Sequence, residues 1–93
     1  MKYSVANATD IASDIKKYLA NKYVLESTRT APSVEGGITI FYKNKNKELI
    51  IEADDEGYVV ALINQNKEIV DSVMICNNND LDKIVVEYLS EEA

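Results

Sequence analysis

The chain has 93 residues, and this length predicts one folded domain over residues 1–93, with no room for a second core. Aliphatic residues recur along the whole sequence, which excludes a disordered chain, and the single cysteine excludes an internal disulfide and favours a reducing compartment. No apolar run approaches the ~20 residues that span a bilayer, and the start MKYSVANATD lacks the apolar core of a secretion signal, so we expect a cytoplasmic protein without membrane contact.

The formal net charge of −6 conceals a division of charge along the sequence. Residues 1–47 carry eight Lys and Arg against four Asp and Glu, whereas residues 48–93 carry two against twelve. Such asymmetry occurs in proteins that bind or mimic a polyelectrolyte. It also arises when a basic hairpin lies beside an acidic strand and the charges partly neutralise each other, and the sequence leaves both explanations open.

An amphipathic helix is predicted near the N-terminus. Its apolar residues share one stripe: Ile11, Ala12, Ile15, Tyr18 and Leu19. Asn7 or Thr9 can cap the first turn through a side-chain oxygen, and we expect the helix to end by Lys22 or Tyr23.

The segment over residues 24–37 joins this helix to the first confident strand. Fourteen residues without structure are unusual in a compact domain, so a short edge strand is plausible over residues 24–27. Pro32 cannot donate a hydrogen bond to a neighbouring strand, and residues 31–34 are therefore expected to be extended and peripheral.

Four short strands follow in unbroken succession between Gly36 and Cys76. They are separated by three polar turns: Asn44-Lys45-Asn46, Asp54-Asp55-Glu56-Gly57 and Asn64-Gln65-Asn66. This spacing predicts an antiparallel β-meander. A second amphipathic helix is predicted after it, capped by Asn79 or Asp80. Its apolar residues recur at helical spacing: Leu81, Ile84, Val85, Tyr88 and Leu89. The fold class is α+β: a helix, a four-stranded meander with room for an extra edge strand, and a helix.

Both faces of the predicted sheet are apolar. Alternation places one set of side chains under the helices: Ile38, Ile40, Tyr42, Leu49, Ile51, Ala53, Ile69, Val73 and Ile75. The opposite face receives Phe41, Ile50, Val70 and Met74, with part of Val59, Ala61 and Ile63. An antiparallel sheet with one wet face alternates apolar and polar residues more strictly. The second face is therefore covered either by one of the two helices or by another molecule, and two helices rarely cover both faces, which favours a partner or a homodimer.

The residues usual in catalytic and metal sites are scarce. Without histidine, the chain lacks the usual general base and the commonest metal ligand, so we expect no zinc site, no cofactor and no catalytic residues. Cys76 ends an apolar strand and is interpreted as a buried structural residue. The acidic cluster of Glu52, Asp54, Asp55 and Glu56 could hold a hard cation, but it lacks the spacing of a calcium loop and suits a solvated hairpin turn better.

One basic patch supports an alternative function. Lys43, Lys45 and Lys47 lie beside Tyr42 and Phe41, a pattern compatible with a single-stranded nucleic-acid platform. The low isoelectric point near 4.5 and a single arginine oppose this alternative, since such surfaces are usually rich in positive charge.

Residues 31–63 resemble small bacterial proteins of uncharacterised function. The shared pattern is a proline, a Gly-Gly pair that enters an aromatic-rich strand, and an acidic strand with its turn. It consists here of Pro32, Gly36, Gly37, Ile38, Phe41, Glu52 and Gly57. The resemblance implies an α+β scaffold and a place in bacterial or phage conflict systems, and it carries no active-site residues.

These observations favour a non-catalytic protein-interaction module, a small acidic regulator or inhibitor of the antitoxin, immunity or anti-defence type. An acidic surface suits capture of a protein with a basic surface. The candidate contact residues are Asp54, Asp55, Glu56, Phe41, Ile50 and Tyr58. Two alternatives stay open: the nucleic-acid platform of Lys43, Lys45, Lys47 and Tyr42, and an enzyme subunit whose site is completed at an oligomer interface.

Overall fold

A computed structural model describes residues 1–33 and 36–90 of the chain. Helix α1 spans Ala8–Tyr23, and helix α2 spans Asn78–Leu89. Between them lie the five strands β1 (Arg29–Pro32), β2 (Ile38–Asn44), β3 (Lys47–Ala53), β4 (Val59–Gln65) and β5 (Glu68–Ile75). They form one antiparallel sheet in the order β1-β2-β3-β4-β5, which confirms the α+β class and the meander, with five strands in place of four.

Side-chain caps explain where the helices begin. The side chain of Asn7 accepts a hydrogen bond from the Asp10 backbone N–H at 2.9 Å, so the predicted cap at Asn7 is confirmed over Thr9. Helix α2 begins earlier than predicted, because Asn77 is its cap and accepts from the Asp80 N–H at 3.0 Å. The Asp80 carboxylate turns back and accepts from the Cys76 N–H, which satisfies a backbone donor that precedes the helix.

The fifth strand lies later in the chain than residues 24–27, the position considered from sequence. Those residues are used to end α1: Val24 adopts φ 57°, its N–H donates to the Ala20 carbonyl, and the Leu25 N–H donates to the Leu19 carbonyl. The bond from Val24, with its left-handed backbone, is the αL type of helix C-cap, and the two bonds withdraw these donors from any sheet. The extended course predicted for residues 31–34 is confirmed for Ala31 and Pro32, which lie in β1, and Val34 lies outside the described residues.

Both helices pack on the same side of the sheet. We call this side the inner face and the opposite side the outer face. The inner face and the helices bury one core, which includes Ile11, Ile15, Leu19, Ile40, Leu49, Ile51, Leu81 and Val85. Val59, Ala61 and Ile63 are fully buried in this core, so their partial assignment to the outer face was wrong. Their neighbours Val60 and Leu62 occupy the outer face instead.

A bulge in β5 reverses the predicted alternation at the start of that strand, whereas Val73, Met74 and Ile75 keep their predicted faces. Ile63 pairs with Asp71, but the next residue, Asn64, pairs with Ile69, so Val70 is an extra residue. Ile69 was predicted to lie under the helices. It lies on the outer face opposite Asn64 and is 64% exposed, because the extra residue shifts the alternation of inner and outer side chains by one position.

Neither helix among the described residues is long and apolar enough to cross a membrane.

Candidate protein-interaction surface

A row of apolar side chains crosses the centre of the outer face. Strand register places Phe41 beside Ile50 and Ile50 beside Leu62, and each of these side chains is half-buried. The guanidinium of Arg29, opposite Phe41 on β1, lies 3.9 Å from the centre of the Phe41 ring. This cation–π contact covers one end of the row and leaves the rest open.

Further apolar side chains widen this row on both sides. Val60 and Met74 form a cross-strand pair on one side, and Ile69 lies on the other. Met74 is 46% exposed. We name the whole group the outer patch: Phe41, Ile50, Val60, Leu62, Ile69 and Met74. Contiguous exposed apolar surface of this kind is typical of contact surfaces in soluble proteins.

Charged residues border the outer patch. Glu48 and Glu52 lie two residues before and after Ile50 on β3, and strand alternation puts them on the same face. Lys43 is the cross-strand neighbour of Glu48, and Thr39 donates a long hydrogen bond of 3.4 Å to Glu52. The two carboxylates lie on the central strand of the sheet, whereas the basic residues of this face, Lys43 and Arg29, lie on β2 and β1 to one side.

One acceptor on the outer face has no partner. The side-chain oxygen of Asn64, which pairs with Glu48 and Ile69 in the sheet, is buried and makes no hydrogen bond among the described residues. A buried unpartnered acceptor is unfavourable and is satisfied when a donor reaches it.

The two edges of the sheet are protected, in contrast to its outer face. Strand β1 is short and ends at Pro32, and the Lys16 ammonium donates to the Thr30 hydroxyl at 3.4 Å. Strand β5 is bulged, and its Ser72 N–H donates to the adjacent Asp71 carboxylate at 2.8 Å. Bulges, proline and edge charges all discourage the addition of another strand.

Two carboxylates of the acidic turn, those of Asp54 and Asp55, accept hydrogen bonds from the backbone. One carboxylate oxygen of Asp54 accepts from the backbone N–H groups of Glu56 and Tyr58, both at 2.9 Å. Asp55 accepts from the N–H of Ala8 at 3.1 Å and so binds the turn to the first turn of α1. Only Glu56, the third predicted contact carboxylate, is exposed at the turn without such a role. The structure brings Phe41 and Ile50 together, but it directs Asp55 toward α1.

Tyr58 lies beside the N-terminal segment. The Tyr3 N–H donates to the Gly57 carbonyl at 2.8 Å, and the Lys2 ammonium lies 5.7 Å from the centre of the Tyr58 ring. Gly57 adopts φ +95° against the Ser4 carbonyl, where a Cβ atom would collide. The N-terminal residues therefore cross the β3–β4 turn and partly cover Tyr58.

The basic patch is dispersed. Lys43 and Lys45 are exposed, whereas the Lys47 ammonium donates to the Ser90 carbonyl at 2.8 Å near the end of α2. Tyr42 is only 1% exposed on the inner face, so its ring is inaccessible for stacking on a base. Burial, with a smaller contribution from Tyr88, raises the pKa of Tyr42 to about 12.

A polar cluster joins the two helices. The Asp82 carboxylate accepts from the hydroxyls of Tyr18 at 2.8 Å and Tyr23 at 2.7 Å and from the Lys22 ammonium at 2.9 Å. We call these four residues the Asp82 clamp. Hydrogen bonds from Lys22 and then Tyr23 hold the pKa of Asp82 below its usual value, and burial followed by the Asp82 contact raises the pKa of Tyr23. Both carboxylate oxygens of Asp82 accept hydrogen bonds from within the chain, which indicates a structural role for the clamp.

Sequence reasoning found Phe41, Ile50 and Met74 but missed Val60 and Leu62. The run VVALI is apolar at every position, so it contains no polar residue to show which side chains face the helices. Among the described residues, no three acidic or cysteine side chains converge closely enough to hold a metal ion.

No protein-family model, curated protein or solved structure matches this chain.

Proposed function

We propose that the protein is a non-catalytic interaction module that binds a partner protein through the outer patch. The observation that carries this proposal is that both helices lie on the inner face, so among the described residues the outer patch is covered only in part, by Arg29 at its Phe41 end. Burying such surface is the main driving force of protein association.

Charge indicates the chemistry of the partner. Glu48 and Glu52 flank Ile50 on the central strand, and the chain carries a net charge of −6. A complementary protein therefore presents an apolar centre with Lys or Arg around it. Such a basic group can also donate to the unpartnered oxygen of Asn64. This assignment fits a small acidic regulator or inhibitor that covers a basic surface of its target.

A second copy of the chain fits the outer patch less well. In a symmetric face-to-face dimer centred on β3, the Glu48 and Glu52 carboxylates of one copy approach those of the other. Like charges brought together at an interface cost binding free energy. The structure also gives no support to base stacking, because Tyr42 is buried.

Site-specific photocrosslinking in the native cell tests the proposal. A photoreactive amino acid replaces Met74 in the outer patch or, as the matched control, Val86, an apolar residue of α2 that is 59% exposed. We expect the probe at Met74, and not that at Val86, to crosslink a distinct protein with a basic surface. Adducts only to the same chain would establish a homodimer and refute this partner assignment. No adduct at Met74, or equal adducts at both positions, would refute the outer patch as the contact surface.

Variants that introduce or reverse a charge on the outer face test the chemistry of the captured protein. Met74→Lys is expected to weaken its binding at least tenfold, because an unpaired charge would be buried at the interface, while Val86→Lys leaves binding unchanged. Glu52→Lys is expected to weaken binding and to reduce its dependence on salt. An interaction that Glu52→Lys leaves unaltered does not depend on a basic partner surface.

A further inference from the structure

A groove runs along α1 on the inner side of the sheet. Strands lie ~4.8 Å apart and a helix with its side chains is ~10 Å across, so two helices do not cover five strands. Helix α1 packs over β2 and β3, α2 packs over β3, β4 and β5, and β1 extends beyond α1. The groove is the space between α1 on one side and, on the other, this overhanging strand and residues 25–27 that lead into it.

The groove contains two adjoining cavities that share Lys16 and Lys17. The first, which we call the Leu25 cavity, has a volume of about 320 Å³ and is lined also by Ala20, Leu25, Ser27 and Tyr42. The second, of about 340 Å³, lies between the first half of α1 and Thr30 and Ile38 of the sheet. Each volume is in the range of small-molecule sites, which are mostly apolar with a few polar groups.

The Leu25 cavity has an unsatisfied polar group in its wall. Tyr42 is 1% exposed, and its hydroxyl makes no hydrogen bond among the described residues. A tyrosine hydroxyl is protonated at neutral pH, and burial extends this into the alkaline range by raising the pKa of Tyr42 to about 12. The group is therefore available as a donor to a ligand.

The charges at this cavity favour an anion. Lys16 donates only a long bond of 3.4 Å to the Thr30 hydroxyl, and Lys17 is exposed. Among the described residues that line this cavity, Glu26 is the one carboxylate, so two ammonium groups stand against it.

We propose that the Leu25 cavity binds a small amphipathic organic anion. Its apolar body packs against Ala20 and Leu25, and its carboxylate binds the ammonium groups of Lys16 and Lys17 with the Tyr42 hydroxyl as a further donor. This site lies on the opposite side of the sheet from the outer patch. It goes beyond the proposed function and does not depend on it.

Decanoate is a suitable probe, and decanol is its neutral counterpart. Titration of the isotope-labelled full chain, followed by amide NMR shifts, is expected to perturb residues around Lys16, Lys17 and Leu25 with decanoate and much less with decanol. Replacing both Lys16 and Lys17 by Met is expected to weaken decanoate binding about tenfold. The control replaces Lys43 and Lys45 by Met, which removes the same charge from side chains that do not line the cavity and leaves binding unchanged.

The variant Tyr42→Phe separates a binding role from a structural one. Because the hydroxyl has no partner, the variant is expected to melt no lower than the parent, yet to bind decanoate about fivefold more weakly. Three results would overturn the assignment: decanol binding as tightly as decanoate, shifts confined to the outer patch or absent, or a Tyr42→Phe variant with unchanged affinity. A large drop in the melting temperature of Tyr42→Phe would show that the hydroxyl already has a partner in the folded chain, and this result would also overturn the assignment.

Discussion

The Asp82 clamp gives the sharpest prediction for stability. Asp82→Ala removes the acceptor of two tyrosine hydroxyls and one ammonium group, and leaves the part-buried hydroxyls of Tyr18 and Tyr23 without this partner. A hydrogen bond to a charged group contributes ~1.5–3 kcal/mol when it is shielded, and solvent reduces this because the Asp82 side chain is 24% exposed. We expect the free energy of unfolding to fall by about 2 kcal/mol through the two tyrosine bonds.

Thermal and urea unfolding followed by far-UV circular dichroism measures this loss. For a domain of this size, 2 kcal/mol corresponds to a melting temperature lower by roughly 10 °C. Asp10→Ala is the matched control, since Asp10 is an exposed carboxylate in the first turn of α1 and its removal is expected to cost only a few tenths of a kcal/mol.

The effect of pH distinguishes the charge of Asp82 from simple packing. The folded-state pKa of Asp82 lies below its ordinary value of 3.8, so its carboxylate stabilises the fold above that pH and loses this contribution as pH falls through the folded-state pKa. The difference between Asp82→Asn and the parent should therefore be largest near neutrality and shrink as pH falls below 3.8 and through the folded-state pKa. A difference that does not change between neutral and acidic pH, or Asp82→Ala melting like Asp10→Ala, would refute the clamp as a source of stability.

Three further predictions concern the backbone and the core. Val24→Gly should raise stability by about 1 kcal/mol in urea unfolding, because a β-branched residue holds φ 57° at the end of α1, and an unchanged midpoint would count against strain there. Gly57→Ala should lower stability by about 3 kcal/mol, since its Cβ collides with the Ser4 carbonyl at φ +95°; a normal melting curve would exclude the close crossing of the N-terminal segment over this turn. Absorbance titration should show a tyrosine ionisation near pH 12 that Tyr42→Phe removes, and the parent should lose stability relative to that variant as pH rises from 10 toward 12, because the folded state opposes ionisation of the buried hydroxyl.

Periodicity was sufficient to predict the helices and the meander. Leu81, Ile84, Val85 and Tyr88 of α2 fall on one stripe and are all buried. Each predicted polar turn overlaps an observed connection between strands, at residues 45–46, 54–58 and 66–67, because short turns are local features of the sequence. The third turn was placed slightly too early, since Asn64 and Gln65 still belong to β4. The position of β1 was not predictable from periodicity. Residues from Val24 onward are used to end α1, and Val24 does so in a left-handed conformation that glycine usually adopts, so the sequence carries no signal for it.

Side-chain orientation was harder to predict than secondary structure. The bulge that turns Ile69 outward depends on the pairing between β4 and β5, and no residue type in β5 indicates its position. The same limit applies to the acidic turn: Asp54 and Asp55 read as solvated charges in the sequence. Their hydrogen bonds to Tyr58 and to Ala8 require the folded arrangement of the turn and of α1.

The bulge in β5 links the protected edges to the open outer face. A bulge discourages edge-to-edge pairing because it bends the strand and interrupts its regular hydrogen-bonding groups. In this sheet it also rotates Ile69 out of the core and into the outer patch, beside the unpartnered oxygen of Asn64. The feature that limits indiscriminate strand addition therefore enlarges the apolar face. A partner that recognises side chains on this face can bind without pairing its backbone to β5, and such recognition is more selective because side-chain identity decides it.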